Sequence, residues 1–192
     1  MLEKNRDTKD LATSFVYEQN KDKKRSAYVF TFGCQQNEAD SEKIVGMLSE
    51  MGYEPTFDYR SADLIILNTC AVRHHAEDKA LSMLGSFKAQ KKKNPELIIG
   101  VAGCMAAERH IVGKLKEDFH YVDFTIEPSM LDRLPLVLKN LLTERKRSFL
   151  LGEGSQKIVE GIAVRRKAAY RGLVTVMYGC NNFCSYCIVP YT

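Results

Sequence analysis

Three of the chain's six cysteines fall inside eight residues, Cys180, Cys184 and Cys187 in the stretch GCNNFCSYC. Thiolates at this spacing reach a single metal centre, and thiolate sulfur is the ligand that iron and zinc favour. Three ligands leave one corner of a cubane iron–sulfur cluster free, and an open metal position is a place where chemistry happens. A zinc knuckle needs a fourth ligand, and residues 188–192 contain neither cysteine nor histidine. The other three cysteines, Cys34, Cys70 and Cys104, are 36 and 34 residues apart, too far to form a local motif. Their settings are alike, however: each ends an apolar run and precedes a helical pattern. If those runs are parallel strands, their carboxyl ends share one sheet edge, the edge at which α/β proteins bind ligands. A cysteine at a helix N-terminus is expected to have a lowered pKa. Gly33 and Gly103 directly precede two of these cysteines and permit sharp turns. Asn68 and Thr69, just before Cys70, are placed to hydrogen-bond to sulfur or to the neighbouring loops.

The elements that must position these thiols alternate. Residues 27–33, 64–70, 97–104 and 121–126 read as strands, and the Leu/Ile-rich second and third look buried on both faces, as in a parallel sheet. Residues 38–51 align Ile44, Met47, Leu48 and Met51, with Asn37 as the expected cap and Gly52 as the stop. Residues 75–93 align Ala76, Ala80, Met83, Leu84 and Phe87 and end on Lys91, Lys92 and Lys93, which suit the negative end of a helix dipole. Residues 106–118 carry Ile111, Val112 and Leu115. Residues 128–142 open on Pro128 and align Leu131, Leu134, Leu138 and Leu141. This order predicts a layered α/β domain, Rossmann-like, with a mainly parallel sheet flanked by helices and right-handed crossovers. Residues 150–157 read as a loop, and residues 171–179, RGLVTVMYG, as a new strand leading into the terminal cysteines.

Composition is that of a soluble globular protein, 45% hydrophobic and 27% charged. No apolar run approaches the length of a membrane span. Residues 1–25 are charged and polar, lack a signal-peptide core, and read as a mobile tail. The expected compartment is the cytoplasm, where six cysteines are poor candidates for structural disulfides. The formal net charge is +4, and residues 143–171 hold eight basic side chains against three acidic ones. That stretch is either a solvated linker or a phosphate-contacting segment. His74 and His75 follow Cys70 closely enough for a mixed Cys/His zinc site to be weighed, but nothing fixes either ring toward the cysteines. His110 and His120 have no partner in sequence.

The CxxxCxxC pattern after a strand resembles the radical S-adenosylmethionine (SAM) signature. The wider blocks TFGCQQNEADSE (31–42), NTCAVRHHAEDKA (68–80), VAGCMAAE (101–108) and GCNNFCSYCIVPYT (179–192) are similar to the methylthiotransferase branch of that superfamily. Their wording is most similar to the MiaB type, the tRNA isopentenyladenosine methylthiotransferases. The resemblance covers residues 27–192 in outline. It implies two 4Fe–4S clusters. One, on Cys180, Cys184 and Cys187, would bind and cleave SAM to give a hydrogen-abstracting radical, which makes these the catalytic cysteines. The auxiliary cluster, on Cys34, Cys70 and Cys104, would hold the sulfur that becomes the methylthio group, its methyl coming from a second SAM.

The implied substrate is C2 of an isopentenylated adenosine in a tRNA anticodon loop, where unstacked bases are open to reading. An electron donor and a sulfur source, both unidentified, complete the partners. The implied organisation is a charged tail (1–25), an N-terminal methylthiotransferase domain (26–148), a basic linker (149–170) and the start of a radical SAM domain (171–192). Family members continue into the rest of a barrel and an RNA-binding domain, so the expectation is an N-terminal fragment that does not catalyse alone. The alternatives are a methylthiotransferase acting on another tRNA base or a ribosomal protein, and a non-catalytic iron–sulfur or zinc protein that binds a partner or senses redox state. An ordinary nucleotide-binding α/β domain is disfavoured, since the chain lacks a glycine-rich phosphate loop.

Overall fold

Every residue of Leu64–Thr69 and of Ile98–Gly103 is buried, as central strands of a sheet covered on both faces must be. The computed structural model describes residues 2–71, 74–152 and 161–191, with side chains for 7–71, 77–152 and 161–190. Its strands are β1 (Ser26–Thr31), β2 (Glu54–Pro55), β3 (Leu64–Thr69), β4 (Ile98–Gly103), β5 (Phe124–Ile126) and β6 (Ser148–Leu150). They form one six-stranded sheet in the order β2-β1-β3-β4-β5-β6, and every neighbouring pair is parallel. The layered α/β fold expected from the sequence is the one observed. β2 and β6 are additions that the sequence pattern did not mark. β6 lies just where a domain end and then a loop were expected, so the sheet runs on into the stretch read as linker.

The helices are α1 (Leu2–Asn20), α2 (Gln35–Glu50), α3 (His74–Lys93), α4 (Arg109–Asp118) and α5 (Leu134–Glu144). Successive strand residues point to opposite faces. Leu64 and Ile66 therefore join the layer of α1, α2 and α5, with Val16, Ile44, Met47, Leu48, Leu134 and Leu138. Ile65 and Leu67 join the layer of α3 and α4, with Leu84, Phe87, Ile111 and Leu115. One expectation about connection needs correcting. β3–α3–β4, β4–α4–β5 and β5–α5–β6 all step the same way across the sheet, but α5 lies on the opposite face from α3 and α4. The last crossover therefore has the opposite hand to the two before it. The handedness preference comes from strand twist, and β5 and β6, at three residues each, have little length over which to express it.

Residues 1–25 were expected to form a mobile tail, and this is also corrected. Leu2–Asn20 is a helix that packs against α5. Its apolar stripe is narrow. Ala12 and Val16 are fully buried and Phe15 packs against the same core, while Leu11 stays exposed. Asn20, also buried, donates to the Met51 carbonyl at the end of α2 at 2.8 Å. A third correction concerns residues 171–179, which form no strand. Val174, Val176 and Met177 are 77%, 92% and 73% exposed, and the described residues offer them no pairing strand beyond a single antiparallel bridge from Ala168 to Arg171. β-propensity without a neighbour to pair with does not make a sheet. No helix among the described residues is long and apolar enough to cross a membrane.

If α1 is part of the core, replacing Val16 by alanine lowers the unfolding free energy by about 2 kcal/mol. Leu11→Ala, on the exposed face of the same helix, changes it by less than about 0.5 kcal/mol. Urea denaturation midpoints of the two variants test this, and equal effects would detach α1 from the fold.

Candidate metal centre

Strand register brings the first three cysteines together. Thr69 pairs with Gly103 across β3 and β4, so Cys70 and Cys104 leave the sheet side by side. Thr31 pairs with Asn68 across β1 and β3, which sets the turn at Gly33 and Cys34 beside Cys70. The approach at that point is close. Gly33 has φ +145°, and a Cβ there would stand 2.7 Å from the Cys70 Cβ and 2.3 Å from the Asn37 Oδ1. Gly103 has φ +92°, and a Cβ on it would meet the Thr69 carbonyl at 2.2 Å. Both glycines are required, by backbone conformation and by space.

A buried polar network holds this edge. Asn37 lies in the first turn of α2, three residues after Cys34, which caps the helix in a capping-box arrangement. Cys34, not Asn37, is therefore the N-cap, and Asn37 is its reciprocal partner. The Asn37 Oδ1 accepts from the Cys34 backbone N–H at 3.1 Å and from the Cys34 thiol at 3.3 Å. Its Nδ2 donates to the Thr69 carbonyl at 2.8 Å. Asn68, fully buried on β3, donates to the Asn37 carbonyl at 2.8 Å and to the Ser41 Oγ at 2.9 Å. Thr31 and Ser41 share a hydrogen bond of 2.8 Å, and the Thr69 Oγ1 donates to the Ala102 carbonyl at 2.7 Å. β1, β3, β4 and α2 are thus tied by side chains at the level of the cysteines. Asn68 and Thr69 reach the neighbouring segments, not sulfur.

Electrostatics at the edge differ from the expectation. The Cys104 thiol is pushed up from an ordinary 9.0 to about 11, first by burial and then by the neighbouring Cys70, with a smaller contribution from Cys34. A hydrogen bond from the Ala71 amide opposes the shift without reversing it. Cys104 opens a short 3-10 turn (Cys104–Ala107), and α4 begins only at Arg109, so no long helix dipole faces this sulfur. Desolvation wins. That Cys70 and Cys34 both bear on the Cys104 thiol is itself a sign that the three lie close together.

Among the described residues, no three His, Cys, Asp or Glu side chains are gathered tightly enough to hold a single metal ion. The side chains of His74 and His75 lie outside the described ones. His110 is exposed beside Glu108, and His120 is also exposed.

Cys180, Cys184 and Cys187 lie on one turn-rich loop beyond the sheet. The Cys187 amide donates to the Cys184 carbonyl at 3.0 Å, and Gly179 and Phe183 take positive φ angles of 68° and 47°. Cys184 is exposed, and Cys180 and Cys187 are partly covered. Among the described basic residues of the preceding stretch, Arg145, Arg147, Arg165 and Arg171 are engaged within the protein. Arg147 donates to the carbonyls of Leu115, Lys116, Phe119 and Val122, closing the end of α4, and Arg145 pairs with Glu96.

Residues 26–127, from the first residue of β1 to just past β5, match the model of a protein family described as uncharacterized protein family UPF0004. The chain belongs to the UPF0004 family. All three sheet-edge cysteines fall within the UPF0004 match, whereas α1, α5, β6 and the terminal trio fall outside it. Among curated proteins, the chain is 44% identical over 167 residues to a protein of Carboxydothermus hydrogenoformans, covering 87% of this chain and 38% of that protein. It is 45% identical over 170 residues to one from Clostridium beijerinckii (88% and 37%), and 41% identical over 177 residues to one from Thermoanaerobacter sp. (92% and 38%). Each is named a tRNA-2-methylthio-N(6)-dimethylallyladenosine synthase. The chain spans a little over a third of the length of these relatives. The motif resemblance points to the same group.

The raised Cys104 thiol has a consequence for the metal-free chain. Unfolded, this thiol ionises near 9; folded, it holds its proton up to about 11. The folded state therefore binds more protons between those values, and stability falls as pH rises through that window. Its contribution is intact below pH 9. Urea midpoints measured under reductant are expected to drop more steeply from pH 9 to 11 in the wild type than in Cys104→Ala. Parallel curves would contradict the shift.

Proposed function

We propose that this chain supplies the N-terminal part of a tRNA methylthiotransferase that uses two 4Fe–4S clusters and SAM to place a methylthio group on C2 of an isopentenylated adenosine next to the anticodon. The observation that carries this reading is the convergence of Cys34, Cys70 and Cys104 on one sheet edge inside a UPF0004 domain. The names of the relatives supply the substrate class.

In this reading Cys34, Cys70 and Cys104 hold the auxiliary cluster, and Cys180, Cys184 and Cys187 hold the cluster that serves SAM. When bound, the two groups supply a transferable sulfur and radical chemistry; the protein supplies binding, orientation and shielding. The chain's own residues do the following work. Gly33 and Gly103 let backbone come close to the thiols. Asn37 and Asn68 keep the strand ends in register. The Cys104 thiol gives up its proton on ligation, which makes loading proton-coupled. Burial of Cys70 restricts water at the inner side of the site. Exposed Arg166 and Lys167 remain available for a tRNA backbone, while Arg165 and Arg171 are partly engaged with Ser49 and Glu38. Turnover needs segments that the longer relatives have, so this chain alone is expected to be inactive.

Anaerobic reconstitution with iron and sulfide tests the assignment. Two clusters per chain are expected. Replacing Cys34, Cys70 and Cys104 together by alanine removes one, and replacing Cys180, Cys184 and Cys187 removes the other. Tight binding of one zinc with no uptake of iron would overturn it.

A further inference from the structure

Residues 163–178 do not hang free between the sheet and the terminal cysteines. Residues 163–171 run along α2 from its C-terminal half to Glu38 in its first turn, and the chain then returns to the middle of α2 at Tyr178. At Gly46 the approach is so close that a Cβ would stand 2.1 Å from the Ala163 carbonyl oxygen. The Arg165 guanidinium donates to the Ser49 Oγ at 3.1 Å, and the Arg165 amide to the Glu42 carbonyl at 3.0 Å. The Lys167 amide donates to the Glu42 carboxylate at 3.2 Å, and Arg171 pairs with Glu38 at 3.4 Å. The run ends at Tyr178, two residues before Cys180. There the Lys43 Nζ donates to the Tyr178 hydroxyl at 2.8 Å and to the Asp40 Oδ1 at 3.0 Å. Asp40 is buried, and the same Oδ1 also accepts from the Gln36 Nε2 at 3.1 Å.

We propose that α2 is a rail that fixes the terminal cysteine loop relative to the sheet-edge cysteines, and that Lys43, midway along it, is the positioning residue, bridging Asp40 on the rail to Tyr178 beside Cys180. The inference rests on the reading above that each trio carries a cluster. Sulfur chemistry between two centres requires a set separation, and the structure provides a chain of contacts that sets it. Lys43 touches none of the six thiols and acts only through Tyr178. Its bonds are charge-assisted and partly sheltered, the class whose loss has a measurable effect. The other side-chain contacts on the rail, Arg165 with Ser49 and Arg171 with Glu38, are exposed, so the partly buried Lys43–Tyr178 bond beside Cys180 is where a side-chain change can release the loop.

Hydrogen exchange of the whole, cluster-free chain tests the rail directly. In Lys43→Met, peptides covering residues 165–178 are expected to exchange about tenfold faster. Peptides of β3 and β4 stay at the wild-type rate, and Lys43→Arg restores protection. Unchanged exchange at 165–178 in Lys43→Met overturns the rail. After iron and sulfide loading, magnetic coupling between the two reduced clusters is expected in the wild type and in Lys43→Arg, and is weakened in Lys43→Met. Faster exchange with unaltered coupling overturns the positioning role. Failure of either trio to take up iron overturns the two-cluster reading instead, and the exchange result then decides the rail alone.

Discussion

The parallel register of β1, β3 and β4 is the constraint on which the rest depends. Two adjacent pairings, Thr31 with Asn68 and Thr69 with Gly103, decide where the chain leaves the sheet three times. A slip of one residue in β3 or β4 would move the side chains fitted to one helical layer into the other and carry the cysteine away from the edge. Burial resists such a slip, since β3 and β4 have no exposed face to exchange. The Asn37–Asn68–Ser41–Thr31 network resists it more specifically, because a displaced strand would leave buried amides without partners. Hydrophobic burial stabilises the sheet; the polar network makes one register the only satisfied one.

The surrounding architecture follows from that demand. A sheet buried on both faces needs two helical layers, and the chain supplies them unevenly. α3 and α4 cover one face. On the other, α2 and α5 are completed by α1, which adds Ala12, Phe15 and Val16 to that core. α2 has three tasks in sixteen residues. Its apolar side fills the core, its first turn fixes Cys34 through Asn37, and its polar side receives residues 163–178. The buried Asp40, Ser41 and Glu42 on a core helix make sense only together with these partners.

Much of this was legible from residue order. Leu/Ile-rich runs ending at Cys70 and Cys104 revealed buried parallel strands, and the parallel sheet implied that their ends converge. The helical stripes over α2, α3 and α5 were plain from apolar spacing. What escaped did so for physical reasons. α1 has a narrow apolar stripe amid charges, and its stability comes from α5, more than a hundred residues away. The stretch 171–179 has strand-forming residues but no partner strand among the described residues. Arg147 looked free because the carbonyls it caps lie at the end of α4 and just beyond it, and Arg145 because its partner Glu96 lies far from it in sequence. The Cys104 thiol was expected to be acidic from its place before a helix. Burial and the nearby Cys70 outweigh a helix that starts too late to help. The Lys43–Tyr178 contact, spanning 135 residues, has no local signal.

Whether Cys34, Cys70 and Cys104 are neighbours can be measured without any cluster. In a chain with Cys180, Cys184 and Cys187 replaced by alanine, dibromobimane, which fluoresces only after joining two nearby thiols, can be reacted to completion under native conditions and the peptides mapped. Shared strand ends predict fluorescence and peptides that join Cys70 to Cys34 or to Cys104. Only separate, singly attached adducts at the three positions would contradict the account at its base.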